Sequence, residues 1–448
     1  MKDLTKGKTM GVIVSFALPL FIGHLFQLFY GLADTRIVGG YLHDEALAAV
    51  SATTTLNDLI VGFLVGLTNG FAVITARSFG SGEMEKVKKS FAASIKLGLI
   101  ISVILTAVSL LFLDLILVAL NTPTEHIQGG KEYIGVILAG MTFAMLYNAY
   151  ASTLRSVGDT VAPLIFLIVS AFINIGLDLL LIPLMGISGA STATVISQAL
   201  SFIACAVYVN IRYPQLRLSL SDFKTEKSLI KQLMSTGVSM GLMSSLVCLG
   251  TVILQGAINI FGTNIIVAHG AARKITGIFM LPFGIFGMTM ATFSGQNYGA
   301  GRYDRIREGL KCAMEIIAVW SALVLIAAWT ISPWLVTAIT DTKTAEIIET
   351  ASLYLKIDTI LYIVCGSIST FRNLLQGIGD HRTPLVSSGL ELLGKVLAAY
   401  LLAPAIGYMG IILTEPIVWV VMTIPLYVQV FRFFKTIPKE EKTQEDSI

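Results

Sequence analysis

Charge is what this sequence has least of. Asp, Glu, Lys and Arg supply 13% of its 448 residues and 55% are hydrophobic, whereas a soluble domain carries about 25% charged residues. That deficit excludes a soluble fold and makes the chain an integral membrane protein in contact with the lipid bilayer. Cysteine is scarce as well. Cys205, Cys248, Cys312 and Cys365 lie in or beside apolar stretches and form no CxxC, so they read as small buried hydrophobes and not as a disulfide framework. Metal and nucleotide signatures are missing. There is no HExxH, and His24 and His269 have no second ligand at metal spacing. The run Gly389-Leu-Glu-Leu-Leu-Gly394-Lys395 has the spacing of a phosphate loop. Val396 stands where such a loop needs Ser or Thr, and the stretch is apolar. No cofactor, ATP-driven step or enzymatic activity is expected. The net charge of +3 gives no nucleic-acid signal, because the cations cluster at the ends of apolar segments.

Those segments are what the chain does have. A helix needs about 20 apolar residues to span a bilayer. Runs of that order fall near 11–34, 46–74, 91–118, 132–154, 161–183, 187–211, 234–261, 265–294, 310–332, 350–376, 383–404 and 408–434, which makes twelve spans. Gly80-Ser-Gly82, Asn121-Thr-Pro123, Gly158-Asp159, Gly299-Ala-Gly301 and Gly379-Asp380 mark the boundaries. No small-residue cleavage site follows the first run, so it reads as a retained helix and not a signal peptide. Alternate connections carry 22 Lys and Arg on one side against three (Arg36, Lys131, Lys343) on the other. That asymmetry places both termini in the cytoplasm.

The two halves of the chain repeat. Ala76-Arg-Ser-Phe-Gly80-Ser-Gly82 resembles Gly295-Gln-Asn-Tyr-Gly299-Ala-Gly301. Gly158-Asp159 with Pro163 matches Gly379-Asp380 with Pro384, and Pro183, Gly186 and Gly189 match Pro404, Gly407 and Gly410. The three matches share nearly the same offset, close to half the length of the chain. Six spans per repeat is an even number, so the halves share one topology and are related by an axis along the membrane normal. The expected organisation is an N-lobe over 1–211, a cytoplasmic linker over 212–233, a C-lobe over 234–435 and a polar tail over 436–448. Such a duplication points to alternating access between two six-helix bundles of an all-α membrane protein.

Within this frame one stretch is costly. Asn174 and Asp178 lie in the fifth apolar run, four residues apart and so on one helix face. A carboxylate at a bilayer centre costs about 2.5–3.5 kcal/mol on insertion scales. Such a pair is either a helix–helix hydrogen-bond clamp or part of a site.

Several motifs carry a resemblance. They are Asp34-Thr-Arg-Ile-Val-Gly39, Ala46-Leu-Ala-Ala-Val50, Arg77-Ser-Phe-Gly80-Ser-Gly82, Arg155-Ser-Val-Gly158-Asp159-Thr160, Asn174-Ile-Gly-Leu-Asp178, Gly186-Ile-Ser-Gly189, Gly295-Gln-Asn-Tyr-Gly299-Ala and Gln376-Gly-Ile-Gly-Asp380. By their order, spacing and twofold recurrence the chain resembles the multidrug and toxic compound extrusion (MATE) family. The resemblance implies a multi-pass, monomeric protein of the bacterial inner membrane. It would export small organic, often cationic and amphipathic, compounds in exchange for Na⁺ or H⁺. It places a cation-coupling site on Asp34, Asn174, Asp178 and Thr194, and a hinge at Pro19. The bland alternative for Asp34 is a helix-end carboxylate facing water. At about 1.5 Å per residue, all four site residues reach the outer half of the N-lobe. Some members carry a glutamate in the seventh span. Here Gly237–Gly262 holds no acidic residue, so coupling is expected in the N-lobe. The alternative within the wider superfamily is a lipid-linked oligosaccharide flippase, which would call for a strongly basic cavity.

Asp58 with Asn57, Met240, Met280, Arg372 and Glu415 are expected to line a substrate cavity. Glu391 and Lys395, at helical i,i+4 spacing, are expected to form a structural ion pair.

Overall fold

A computed structural model of the chain describes residues 1–119 and 122–437. Asn121, the side chains at 43–47 and the expected tail from 438 onward lie outside the described residues. Helix α1 (Thr9–Gly80) carries the first two spans, Thr9–Leu42 and Thr53–Gly80, in one unbroken run. The sequence motifs place a boundary just after Asp34, yet the helix continues through it. No proline occurs between Pro19 and Pro123, and a Gly39-Gly40 pair alone does not end a helix. Helices α2 (Met84–Leu111), α3 (Leu113–Ala119), α4 (Thr124–Ser156), α5 (Val161–Met185) and α6 (Ile187–Arg212) complete the first half. The second half holds α7 (Lys227–Ile258), α8 (Thr263–Gly299), α9 (Tyr303–Thr340), α10 (Ala345–Thr359), α11 (Tyr362–Ile378), α12 (Arg382–Leu397), α13 (Ala403–Ile406) and α14 (Tyr408–Thr436). Helices α10 and α11 meet at 55°. Counted as one bent span, they bring the total among the described residues to the twelve that the apolar runs predict.

The duplication is built into backbone geometry. Gly186 and Gly407, a repeat apart, take positive φ of 62° and 66° at the starts of α6 and α14. One turn later the chain folds back tightly in both copies. A Cβ on Gly189 would lie 2.4 Å from the Leu181 carbonyl oxygen, and one on Gly410 would lie 2.6 Å from that of Leu402. Only glycine permits either the φ or the approach.

The segment just ahead of α1 and the C-terminal end of α1 meet the same part of α8, so the two spans run in opposite directions and α1 bends back on itself between them. The Leu4 N–H donates to Gln296 Oε1 at 2.9 Å, and Ala76 packs against Gly295. Around this point the halves interlock at the end of the bundle that carries the N-terminal segment. A Cβ on Gly80 would lie 1.9 Å from the Gln296 carbonyl oxygen, and one on Gly299 would lie 2.1 Å from that of Arg77. The two contacts exchange under the repeat, as contacts across a pseudo-twofold axis must. Arg77 continues the seam by donating to the Gly377 carbonyl at 2.7 Å and the Gln376 carbonyl at 3.0 Å. Leu4 is fully buried between the halves, and Arg305 Nη1 donates to the Gly7 carbonyl at 2.8 Å. Further along the seam, Gly66 and Gly70 of α1 let its backbone touch that of α7 at Gly241 and Gly237.

The connection between the halves is tied down beside α2. Asp222 accepts from the Ser219 N–H at 2.7 Å and pairs with Lys88 at 3.2 Å. The Ser219 N–H and hydroxyl, with the Lys88 ammonium, hold the Asp222 carboxyl below the usual carboxylate range.

Gly80→Ala forces a side chain into the Gln296 backbone. It should cost about 1–3 kcal/mol, as overpacking does, and lower the melting temperature in detergent. Gly135→Ala, where a Cβ meets open space, should leave it unchanged. Equal melting temperatures for the two variants would show that the halves are not locked at Gly80.

Candidate functional site

Helices α1, α5 and α6 bring Asp34, Asn174, Asp178 and Thr194 together in the first half. Asn174 and Asp178 share one face of α5 and are both buried. With the Asn174 amide oriented so that both its ends are satisfied, Nδ2 donates to Asp178 Oδ2 at 3.1 Å and Oδ1 accepts from the Thr194 N–H at 3.1 Å. Asp34 reaches the same point from α1, within hydrogen-bonding range of Asp178. Two ionised carboxylates are acceptors only, so neither can donate to the other in that state. The buried Asp178 Oδ1 atom has no hydrogen-bond partner among the described residues.

Two tyrosines complete the site that sequence motifs leave out. Tyr30 hydrogen bonds to the Asn174 amide and reaches the Thr194 hydroxyl. It lies four residues before Asp34, the spacing that also links Asn174 to Asp178, and that spacing is the signal by which it could have been found. Tyr133 of α4 faces both carboxylates. Tyr30, Asn174 and Thr194 also line a cavity of about 260 Å³ with Gln27, Asn148 and Gln198. The wall of this polar cavity is therefore the wall of the carboxylate cluster.

Pro19 lies within α1, which continues through it without a break. The proline removes one backbone donor from the helix. Asn57 neighbours Asp58, and Asp58 faces Cys248 of α7. Met240 packs in the α1–α7 seam, where its carbonyl abuts Gly66. Met240 also lines a small cavity of about 30 Å³ between the halves, with Asn69, Arg155 and Asn373, and Met280 lines one of about 270 Å³ in the second half, together with Arg372 and Glu415.

The expected Glu391–Lys395 pair is one link of a longer buried chain. Arg372 Nη2 donates to Glu391 Oε2 at 3.1 Å, Lys395 Nζ donates to Glu391 Oε1 at 3.0 Å, and Lys395 Nζ pairs with Glu415 Oε1 at 3.3 Å. Arg273 Nη1 follows at 3.7 Å from Glu415 Oε1. These residues sit on α8, α11, α12 and α14. Only the i,i+4 link within α12 has a sequence spacing that reveals it. Asp358 is a second residue the motifs miss. It is fully buried at the end of α10 and accepts from the Tyr362 hydroxyl at 3.0 Å.

His24 bonds to the Leu20 carbonyl of its own helix, and His269 to the Tyr408 hydroxyl. Gly237-Val-Ser239-Met-Gly241 has the spacing of a hydrolase nucleophile turn. That motif needs a strand-to-helix elbow, but here it lies inside α7, where Ser239 donates to the His381 carbonyl at 2.8 Å.

Comparison with known proteins agrees with this architecture. The chain is 26% identical over 399 residues to the probable multidrug resistance protein YoeA of Bacillus subtilis, covering 87% of this chain and 86% of YoeA. It is 25% identical to an FAD transporter of Shewanella oneidensis, covering 93% of each. A solved structure described as the outward-facing conformation of a multidrug resistance MATE family transporter superposes with a TM-score of 0.90. It covers 98% of both chains at 22% identity. The MatE family profile matches residues 19–180 and 239–401, one block in each half. By that match the chain belongs to the MatE family of multidrug and toxic compound extrusion transporters, which are membrane carriers and not enzymes.

Proposed function

We propose that this transporter is a secondary antiporter. In this reading, Na⁺ or H⁺ binding at Asp34, Asn174, Asp178 and Thr194 drives the export of small organic, often cationic, amphipathic compounds. One observation supports this reading above the others: Tyr30, Asn174 and Thr194 serve both the carboxylate cluster and the 260 Å³ cavity. A cation drawn between Asp34 and Asp178 tightens the wall against which cargo would rest. Ion and cargo then oppose each other at one surface, which is the requirement for exchange. A ligand shifts a conformational equilibrium only by its differential affinity for the two states. The cluster supplies that difference if it closes around the ion in one state and opens in the other. The N-terminal face is taken as cytoplasmic from its excess of Lys and Arg. Because the halves lock at that face, the conformation described is the outward-open one, from which cargo leaves and the ion enters. Bending of α1 at Pro19 would transmit ion occupancy to the pocket.

Carboxylate oxygens suit Na⁺, a hard cation, and the Asn174 Nδ2 that donates to Asp178 Oδ2 would orient one of them, whereas a proton needs only the carboxylates. In proteoliposomes with imposed Na⁺ or pH gradients, Asp34→Asn should reduce export of a cationic dye to the level of protein-free vesicles, with an unchanged gel-filtration profile. Continued export against a gradient by that variant would sink the proposal.

Asn174→Leu separates the two ions. Loss of an orienting partner typically costs a metal site about 10–100-fold in affinity, so Na⁺-driven export should weaken by that order. Export driven by a pH gradient alone should hold. Equal losses under both gradients would remove the amide from any Na⁺-specific role.

A further inference from the structure

The repeat places a charge-inverted counterpart of the Asp34 site in the second half. At the offset that pairs Gly186 with Gly407, Lys395 occupies the position of Asn174, Ala399 that of Asp178 and Glu415 that of Thr194. Where the first half sets carboxyl groups beside its cavity, the second sets cations. Arg273, Arg372 and Lys395 all line the 270 Å³ cavity, against two carboxylates, Glu391 and Glu415. Asp358 brings the network to three against three, but it is fully buried and is not part of the lining. The surface presented to the cavity is therefore positive.

The three cations are not equivalent. The Lys395 and Arg372 side chains are 2% and 9% exposed, and both are committed to Glu391. Arg273 is 35% exposed. It lies beside the buried Tyr354. Its only carboxylate contact among the described residues is Glu415 at 3.7 Å, too long for a hydrogen bond. Glu415 does not depend on it, because Lys395 lies closer at 3.3 Å. Arg273 can thus turn its planar fork toward a second anion without leaving a buried carboxylate unpaired. Met243, Met280 and Trp419 supply apolar, adaptable lining on the other walls.

We propose that this cavity is an anion-recognising subsite. It takes the carboxylate of an amphipathic organic compound, with Arg273 as the ligand-facing cation and the apolar body of the compound against the Met and Trp walls. The cargo it selects is zwitterionic or anionic, and the first half, which sets carboxyl groups beside its cavity, offers its carboxylate no such partner. The inference extends the export reading by assigning cargo chemistry to the second half. It needs no particular coupling ion.

Binding to the purified full-length protein in detergent, with no gradient present, tests it. Fluorescence polarisation would compare a xanthene dye bearing a free benzoate carboxylate with the methyl ester of the same dye. The wild-type protein should bind the acid more tightly, by about tenfold, the order of one charge-assisted hydrogen bond. Arg273→Gln should abolish that preference and leave ester binding unchanged. Glu415→Gln, which removes the competing carboxylate, should strengthen acid binding. Asp34→Asn should retain the preference, so a failure of the coupling reading would leave this result intact. A wild-type protein that binds acid and ester alike would overturn the proposal, as would an Arg273→Gln variant that weakens both dyes equally.

Discussion

The backbone contact between the two halves is the constraint from which the rest of the arrangement follows. Gly80 lies on the carbonyl of Gln296 and Gly299 on that of Arg77, each too close for any side chain to intervene. Two elements with the same sequence pattern close on one another, and Arg77 then fills the carbonyls left at Gln376 and Gly377. With that face shut, both polar cavities lie elsewhere, one in each half. No member of the Asp34 cluster and no charged residue of the second-half cavity takes part in the closure. The lock and the carboxylate cluster occupy different levels of the bundle. They are joined by α1, which carries both Asp34 and Gly80, and by α4, where Tyr133 faces the carboxylates and the Ser156 carbonyl accepts from Gln296 Nε2 at 2.7 Å.

Much of this was legible in the sequence because it rests on periodicity and duplication. Apolar length gives the spans, and the recurrence of the Gly80, Gly158 and Gly186 motifs at Gly299, Gly379 and Gly407 gives the two halves. A carboxylate in an apolar run is conspicuous by its cost, so Asp178 announces itself. Tyr30 does not, since a tyrosine in a membrane helix is ordinary until its hydroxyl is seen to serve Asn174. Asp358 is hidden for a related reason. It falls near the break between α10 and α11, and its partners Tyr354 and Tyr362 look like packing aromatics. The continuity of α1 through residue 34 is invisible too, because the motif that begins at Asp34 reads as the end of a helix.

The chain of ions in the second half was out of reach of pattern reading for a different reason. Its members come from four helices, and their pairing depends on how those helices pack. Buried ion pairs add little net stability over a well-packed apolar core. The persistence of five charged side chains beside a cavity, where leucine would pack as well, calls for an account in terms of what the cavity holds. Duplication gives the two halves one backbone, and side-chain divergence gives them opposite electrostatic surfaces. Related carriers named for drugs and for FAD show how far cargo varies across similar chains.

The seat of Leu4 also bears on how the protein comes to be made. Leu4 donates to Gln296 and accepts from Asn297 and Arg305, so a residue at the start of the chain finds its partners only in the second half. At about 5–20 residues per second, the ribosome takes on the order of 15–60 s to supply them. During that interval the first six spans can enter the bilayer and Lys2 can meet its first-half partner, the Val157 carbonyl, but Leu4 lacks its own. The closing of that face is therefore a late event in biogenesis, and it cannot precede emergence of the eighth span from the ribosome.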